Sequence, residues 1–348
     1  MTADPRPPHW AARLERRLTS VIARRLRRKG WSAGVEPFTG YGTDGWVRVL
    51  GRAVLVPTDL ARSSVEQPAA PRAVRGWRSF LVVPLPGARV DVVIDGVRHG
   101  VEADDRGYVD VRLPADLEPG WRQVRFEIDE DSVATRVLVV GPEPAMALLS
   151  DVDDTVMVTS LPRPILAAWN ALVLHENARR AVPGMGELYA RWTAAYPDGP
   201  VFYLSTGAWD VAPALRRFLR HHGFPPGPLL LTDWRPTRQG WFRTGQAHKQ
   251  SSLRRLMAEL PQLTWALVGD DGQHDPQRYA EAVAEHPGRV AVVAIRRLSA
   301  AEQVLSHGLP LPLPQDADVS GLRVVHGDDG HELTLRLIDA GLLPPAHL

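Results

Sequence analysis

Two rhythms of apolar residues divide the chain near residue 145. Between 46 and 140 they recur at every second position: Val109, Val111 and Leu113 alternate with Asp110 and Arg112, and Val124, Phe126 and Ile128 with Arg125 and Glu127. A period of two turns one face of a strand to a core and the other to water. The stretches WVRVLGRAVLV, SFLVVPLP, RVDVVIDG and ATRVLVVG read as further strands, with turns at Asp95-Gly96 and Asp105-Arg106-Gly107. Short strands with no helix among the later ones predict a small antiparallel β-sandwich. An exposed loop, TDLARSSVEQPAAPRAVRG, interrupts it.

Upstream, Trp10, Leu14, Leu18, Val21, Ile22 and Leu26 follow helical spacing, with Arg13, Arg16, Arg17, Arg24 and Arg27 on much of the other side and Gly30 as a stop. A basic amphipathic helix over 9–29 either lies on an anionic membrane surface or packs on its own protein with a solvated Arg face. The second is favoured, because such helices commonly pack in soluble domains.

Beyond 145 the apolar runs AMALLSD, VFYLS, LLLTD, TWALVGD and VAVVAI alternate with the helical stretches GELYARWTAAY, PALRRFLRHH, QSSLRRLMAEL and PQRYAEAVAEH. Buried runs alternating with helices predict a parallel sheet covered on both faces. The fold class is therefore α/β, a Rossmann-like parallel sheet preceded by an N-terminal helix and an antiparallel β-sandwich. The expected organisation is 1–35 as the basic helix, 36–142 as the β domain and 143–348 as the catalytic domain.

Composition narrows the function. The 348 residues carry 41 Lys+Arg against 40 Asp+Glu, a formal charge of +1, which argues against a strongly basic nucleic-acid binder. With no cysteine, disulfides, thiolate zinc sites and Cys nucleophiles are excluded together, which fits a reducing compartment. No apolar run approaches the ~18 residues that span a bilayer, and MTADPRPPHWAARLERR lacks the apolar core of a secretion signal. The expectation is a cytoplasmic protein, with peripheral contact at a membrane left open. The chain has two lysines, Lys29 and Lys249; all other long-chain basic residues are Arg.

In a parallel α/β sheet the ligand sits beyond the carboxyl ends of the strands. The first run ends in Ser150-Asp151-Val152-Asp153-Asp154-Thr155. Positions i and i+2 of an extended segment share a side, so Asp151 and Asp153 face one site and Asp154 turns away. Two clustered carboxylates repel unless a cation or a shared proton relieves them. The second run ends in Ser205-Thr206-Gly207, where a hydroxyl at a glycine turn donates to a phosphate without adding charge. The fourth ends in Gly269-Asp270-Asp271 with Asp275 soon after, and Lys249 precedes the helix leading into it. These parts match phosphoryl transfer through an aspartyl-phosphate, with Mg²⁺ on oxygen ligands and a compact ammonium on the phosphate.

DVDDT, the Ser of FYLSTG, Lys249 of HKQSSLRRL and GDDGQHD, spaced 54, 44 and 21 residues apart from Asp151 to Asp270, resemble the aspartate-nucleophile phosphatases of the haloacid dehalogenase superfamily. SDVDDTV, RAVPGMGELY, FYLSTGAWDV, GPLLLTDW, GWFRTGQAHK and GDDGQHDPQRYAE resemble more closely the actin-patch phosphatidate phosphatase family and its bacterial relatives, over about residues 145 to 300, with a weaker echo in FTGYGTDGWVRVLGRAVL. The resemblance implies hydrolysis of phosphatidate to diacylglycerol, with Asp151 as nucleophile and Asp153 as general acid/base. It implies that Ser205 binds the phosphoryl group, with Thr155 and Thr206 beside it, and that Lys249 keeps nucleophile and phosphate in register. Mg²⁺ falls to Asp151, Asp270 and the backbone carbonyl of Asp153, with Asp275 orienting metal-bound water and Asp271 an ambiguous neighbour.

Each element also has an ordinary reading: Asp151 and Asp153 as turn caps, Ser205 as a turn residue, Lys249 as a helix-start lysine. The ordered set favours chemistry over all of these. His248 and His274 are placed as surface or supporting histidines, Trp209 in core packing; Arg180 is open between solvent and substrate, and Asn177 has no firm role. The resemblance also bears on access, since superfamily caps are insertions, and about thirty residues (157–183, with PILAAWNALVL) are small for one. DWRPTRQGWFRTG is either a structural hairpin or an interfacial excursion, with Trp234, Trp241 and Phe242 at a lipid surface and Arg235, Arg238 and Arg243 near headgroups.

The expected partner is a phosphomonoester, preferably a lipid phosphate at a membrane, and no nucleic acid; oligomeric state is left open. Alternatives are a phosphatase for phosphoprotein, nucleic-acid ends or a soluble metabolite, and a binding protein with a vestigial catalytic domain.

Overall fold

The computed structural model describes residues 25–57, 83–158, 180–232, 241–272, 275–299, 302 and 322–345. The chain divides into two compact units, 1–139 and 140–348.

In the first unit the period-two segments form strands: β1 Trp31–Thr43, β2 Trp46–Pro57, β3 Val83–Pro84, β4 Arg89–Ile94, β5 Val97–Glu102, β6 Tyr108–Pro114, β7 Gly120–Ile128 and β8 Asp131–Val140. They join into one hydrogen-bonded sheet in the order β3-β2-β1-β8-β7-β4-β5, with β6 on β2. A single mixed, strongly curled sheet thus replaces the expected pair of antiparallel sheets. The cause lies in β2, which is long enough to pair with β1 along its length, with β6 over Trp46–Arg52 and with β3 at Val54–Leu55. The register of β1 also shifts between Phe38 and Tyr41. A β-carbon on Gly40 would stand 2.3 Å from the Arg48 carbonyl oxygen, so only glycine permits so close an approach at this irregularity. Val47, Val49, Val90, Val92, Phe126 and Val137 fill the enclosed core. Asp95 and Gly96 both take positive φ, 46° and 79°, in the tight turn joining β4 to β5, as an Asp-Gly hairpin requires.

β1 begins at Trp31, inside the segment assigned above to the N-terminal helix. Residues 1–24, most of the expected helix, lie outside the described residues, as does the exposed loop at 58–76. The last helical turn packs Leu26 against the β core, and Arg27 pairs with Asp129 at 2.9 Å.

The second unit follows the predicted alternation: β9 Ala145–Asp151, α1 Met185–Ala195, β10 Val201–Ala208, α2 Ala212–His221, β11 Leu229–Thr232, α3 Trp241–Glu259, β12 Leu263–Asp270, α4 Asp275–Glu285, β13 Val290–Arg296, β14 Arg323–Gly327 and α5 Gly330–Asp339. The six strands are all parallel, in the order β11-β10-β9-β12-β13-β14. From β9 the chain builds one way to β11, then returns to add β12 on the other side of β9. That reversal opens a crevice beyond the strand ends between β9 and β12, where ligands bind in such sheets. Leu148, Leu149, Phe202, Trp265 and Val292 are almost wholly buried, as a doubly covered sheet demands.

The C-terminal segment, whose packing the sequence leaves open, supplies the edge strand β14 and helix α5. This helix packs on β13, β14 and α1. A β-carbon on Gly330 would lie 2.2 Å from the Gly184 backbone, and Gly330 N–H donates to the Pro183 carbonyl at 2.9 Å. Among the described residues no helix is long and apolar enough to cross a membrane.

Candidate active site

β9 and β12 are adjacent and parallel, with Ser150 level with Val268. Asp151 therefore leaves its strand end beside Gly269 and one step from Asp270. Asp151 (1 % exposed), Asp270 (0 %) and Asp275 (1 %) are buried together, each offering a carboxylate oxygen within 4.8 Å of the others. Asp275 starts α4 and comes this close because Gly269 has no side chain: a β-carbon there would meet Asp275 Oδ2 at 2.8 Å.

Lys249, from α3, is equally buried and stands with its Nζ 2.5 Å from Asp151 Oδ1 and 3.2 Å from Asp275 Oδ1. Arg278, one turn into α4, donates from Nη1 to Asp275 Oδ1 at 2.9 Å. Burial pushes the Asp151 carboxyl well above the usual carboxylate range; Lys249 opposes the shift, and Asp275, Asp270 and Asp153 add to it. Asp270 moves the same way, first through burial and then through Asp275. For Lys249, burial favours the neutral amine, but Asp151 and Asp275 outweigh it and the ammonium is held above its ordinary value. A buried cation set among carboxylates keeps its charge.

Asp153 (8 % exposed) faces the same crevice from the other side. Ser205, in the C-terminal half of β10, donates to Asp153 Oδ2 at 2.8 Å and accepts from the Gly207 N–H at 2.9 Å. A hydroxyl has one proton to give, so here Ser205 spends it on Asp153. Thr155 turns its hydroxyl toward Asp270 Oδ2 at 3.4 Å. Thr206 contributes its carbonyl, which accepts from the Thr232 hydroxyl at 2.9 Å. Asp271 points elsewhere, accepting from the Leu298 N–H at 2.8 Å. It is not one of the three clustered carboxylates.

Six of the eight expected site residues, Asp151, Asp153, Ser205, Lys249, Asp270 and Asp275, thus bring their polar groups to one crevice, with Thr155 against its wall. His248 is half-buried with Nε2 3.4 Å from the Ser252 hydroxyl, Arg180 is exposed, and Trp209 begins a short 3-10 turn before α2. Asn177, His274, Trp234, Arg235, Arg238 and the 164–174 apolar segment lie outside the described residues, as do the side chains of Trp241, Phe242 and Arg243. Sequence reasoning missed two participants, Arg278 and Arg296. Arg278 had a signal, its i+3 spacing from Asp275 on a helix. Arg296 had none: Glu302 is only 6 residues on, but the Asp328 and Asp154 carbonyls that complete its contacts are 32 and 142 residues away.

The carboxylate trio fits a hard divalent cation. Asp151 Oδ2 and Asp275 Oδ2 are buried without a hydrogen-bond donor, a costly state unless something unseen compensates it. An all-oxygen, acidic donor set suits a hard cation rather than a thiolate- or imidazole-seeking metal.

Residues 146–297 match the family described as the catalytic domain of phosphatidate phosphatase APP1. That stretch of the second unit is similar to the family's catalytic domain. The APP1 match begins with β9 and ends just after β13, so it includes every clustered residue but not β14 or α5. Phosphatidate phosphatase APP1 of Saccharomyces cerevisiae is 24% identical over 152 residues, 43% of this chain and 26% of its own length. An uncharacterized protein of Schizosaccharomyces pombe is 26% identical over 152 residues, 43% of this chain and 25% of its own. The aligned part of the chain thus spans about a quarter of the curated relatives it matches. Among solved structures, a carbohydrate acetylesterase from Xanthomonas citri aligns with 88% of this chain and 74% of that chain, at 15% identity and a TM-score of 0.29. So loose a likeness carries no argument.

Proposed function

We propose that the second unit is a Mg²⁺-dependent phosphomonoesterase that works through a phosphorylated Asp151, with phosphatidate or a related lipid phosphate as its substrate class. The observation that carries this reading is the buried Asp151 carboxylate, held 2.5 Å from Lys249 and clustered with Asp270 and Asp275. A structural ion pair needs one acid per base; this crevice holds surplus carboxylates with unmet oxygens. The substrate class comes from the APP1 family match.

Asp151, Asp270 and Asp275 would hold the metal, with the Asp153 carbonyl as a further ligand. The ion would supply charge neutralisation between phosphate and carboxylates. In the first step an Asp151 carboxylate oxygen attacks phosphorus and the bond to the alcohol oxygen breaks, while Asp153 gives its proton to that oxygen. In the second, the Asp153 carboxylate takes a proton from water, the water oxygen attacks phosphorus, and the bond to Asp151 breaks to free inorganic phosphate. Lys249 balances negative charge on the phosphoryl oxygens throughout. Ser205 keeps the Asp153 carboxyl turned into the crevice and, by rotating its hydroxyl, can reach a phosphoryl oxygen.

The test is turnover of phosphatidate in mixed micelles, with and without Mg²⁺, against water-soluble phosphomonoesters. Mg²⁺-dependent release of phosphate and diacylglycerol that Asp151→Asn abolishes is the expected result. Preference for soluble esters would keep the chemistry and replace the substrate. No hydrolysis of any ester with Mg²⁺ present would favour a vestigial domain.

A further inference from the structure

Arg296 ends β13, on the far side of β12 from Asp151, and is 5 % exposed. Its backbone is level with Asp270, so its side chain emerges at the height of the crevice. The guanidinium is engaged on three sides. Nη1 donates to the Asp154 carbonyl at 2.7 Å, Nη2 to Glu302 Oε1 at 2.8 Å and Nε to the Asp328 carbonyl at 3.1 Å. The first acceptor belongs to the aspartate loop itself. The other two lie beyond residue 297, where the family match ends.

The loop carries a backbone bend that its neighbours hold in place. Asp154 stands at φ 57°, in the left-handed region that costs a non-glycine residue about 1 kcal/mol or more. That turn separates Asp153 from Thr155. A relaxation of the Asp154 peptide would therefore swing the Asp153 carboxyl away from Ser205 and the Thr155 hydroxyl away from Asp270. Backbone bonds brace the loop from Asp154 N–H to the Met157 carbonyl and from Val156 and Met157 N–H to the Val152 carbonyl, and the Val156 carbonyl and Val158 N–H tie its end to residues 180–182. To these Arg296 adds a hold on the Asp154 carbonyl from a neighbouring strand.

We infer that Arg296 is a positioning residue that clamps the Asp154 peptide to Glu302 and the Asp328 turn, so that the segment C-terminal to the family domain completes the support of the reacting carboxylates. The inference rests on the reading of Asp151 and Asp153 as those carboxylates. Arg296 reaches neither substrate nor metal ligand; it acts through the backbone of the loop. A planar guanidinium suits this task, since one rigid group presents several donors at fixed angles.

The experiment combines kinetics with amide hydrogen exchange on full-length Arg296→Gln, Arg296→Lys and Glu302→Gln. In Arg296→Gln, exchange across 152–158 should rise at least about tenfold, and kcat should fall on the order of 10- to 100-fold with KM within about twofold, as expected for misplaced reacting groups. Arg296→Lys should recover part of both, and Glu302→Gln should show the same pattern more weakly. A folded Arg296→Gln with wild-type exchange in the loop, or with unchanged kcat, would overturn the clamp. Should Arg296→Gln fail to fold, Glu302→Gln decides, because it removes one anchor and leaves the arginine; unchanged exchange and kcat there would overturn the C-terminal role. Exchange needs no turnover. An inactive wild type would count against the phosphatase reading, while loosened exchange in the variants would still support the clamp.

Discussion

Asp275 Oδ2 lies 2.8 Å from the place where a β-carbon on Gly269 would sit, with the Tyr279 ring 2.9 Å from the same point. The residue before Asp270 is therefore a spacer that lets two carboxylates from different elements, β12 and the start of α4, come close enough to hold one ion between them. Gly269→Ala should push Asp275 outward without breaking β12, whose pairing with β9 and β13 uses only backbone. The expected outcome is Mg²⁺ affinity reduced about 10- to 100-fold, in the range typical when a ligand's support is disturbed, with most of the melting temperature retained. Titration calorimetry with Mg²⁺ measures the first, and thermal unfolding in chelator the second. Wild-type affinity would show that Asp275 does not hold the ion.

Lys249 is surrounded by acids whose charges it balances. Lys249→Met keeps the stem and removes the ammonium, leaving Asp151 and Asp275 buried with less compensation. Breaking a buried pair in this way costs about 3–5 kcal/mol, so urea unfolding without metal should show a loss of that order, reduced when Mg²⁺ is added. Lys249→Arg should fold better than the Met variant yet remain inactive, because the wider fork displaces the phosphoryl oxygens that a compact ammonium accommodates. Substantial activity in the arginine variant would mean that Lys249 contributes only charge.

What the sequence made legible follows from where the signal was local. In the second unit β9, β10 and β12 are apolar runs that carry Asp151, Ser205 and Asp270, so sheet and crevice were legible together, whereas the edge strand β14, RVVHG, is largely exposed and gave no such signal. The first unit was harder. β5, Val97–Glu102, is an edge strand with an exposed, polar pattern, so it carries little of the alternation that marks a half-buried strand. β1 contains Gly34, Pro37, Gly40 and Gly42, residues that disfavour strands in isolation but suit a strongly bent one. The curl depends on β2 pairing with three strands, a tertiary choice that no window of sequence contains. Arg296 was invisible for a related reason: Glu302 is near in sequence, but the Asp154 and Asp328 carbonyls are brought to it by sheet order.

The raised Asp270 carboxyl has a consequence for stability. A carboxyl held above its unfolded value binds a proton more tightly in the folded protein, so its favourable contribution is present at low pH and is lost as pH rises through the folded value. Asp270→Asn removes that titration and keeps an acceptor oxygen for the Gly272 N–H at the Oδ1 position, while the amide NH2 takes the place of Oδ2 beside the Thr155 hydroxyl oxygen, which can accept from it. In chelator at about pH 8 the variant should melt higher than wild type, and the difference should shrink toward about pH 5. Mg²⁺ should raise the melting temperature of wild type more at the higher pH, because ligand carboxylates must be deprotonated, and should do little for the variant. A variant less stable than wild type in chelator at every pH would show that Asp270 is a structural acid.

The Ser205 hydroxyl proton, given to Asp153 rather than to the open crevice, separates two roles by kinetics. If Ser205 chiefly aims the acid/base, Ser205→Ala should lower kcat by roughly 10- to 100-fold, within the range that general acid–base catalysis supplies, and leave KM nearly unchanged. If it chiefly holds the phosphoryl group of bound substrate, KM should rise instead. The leaving group sharpens the distinction. An alkoxide such as the glycerol oxygen of phosphatidate needs a proton as its bond to phosphorus breaks, whereas nitrophenolate departs without one. The Ser205→Ala defect should therefore be several-fold larger on alkyl phosphates than on p-nitrophenyl phosphate, provided formation of the phosphorylated Asp151 limits turnover, a condition that a rapid-quench measurement of phosphate burst establishes. Equal defects on both substrates under that condition would assign Ser205 to phosphate binding and leave Asp153 oriented by other groups.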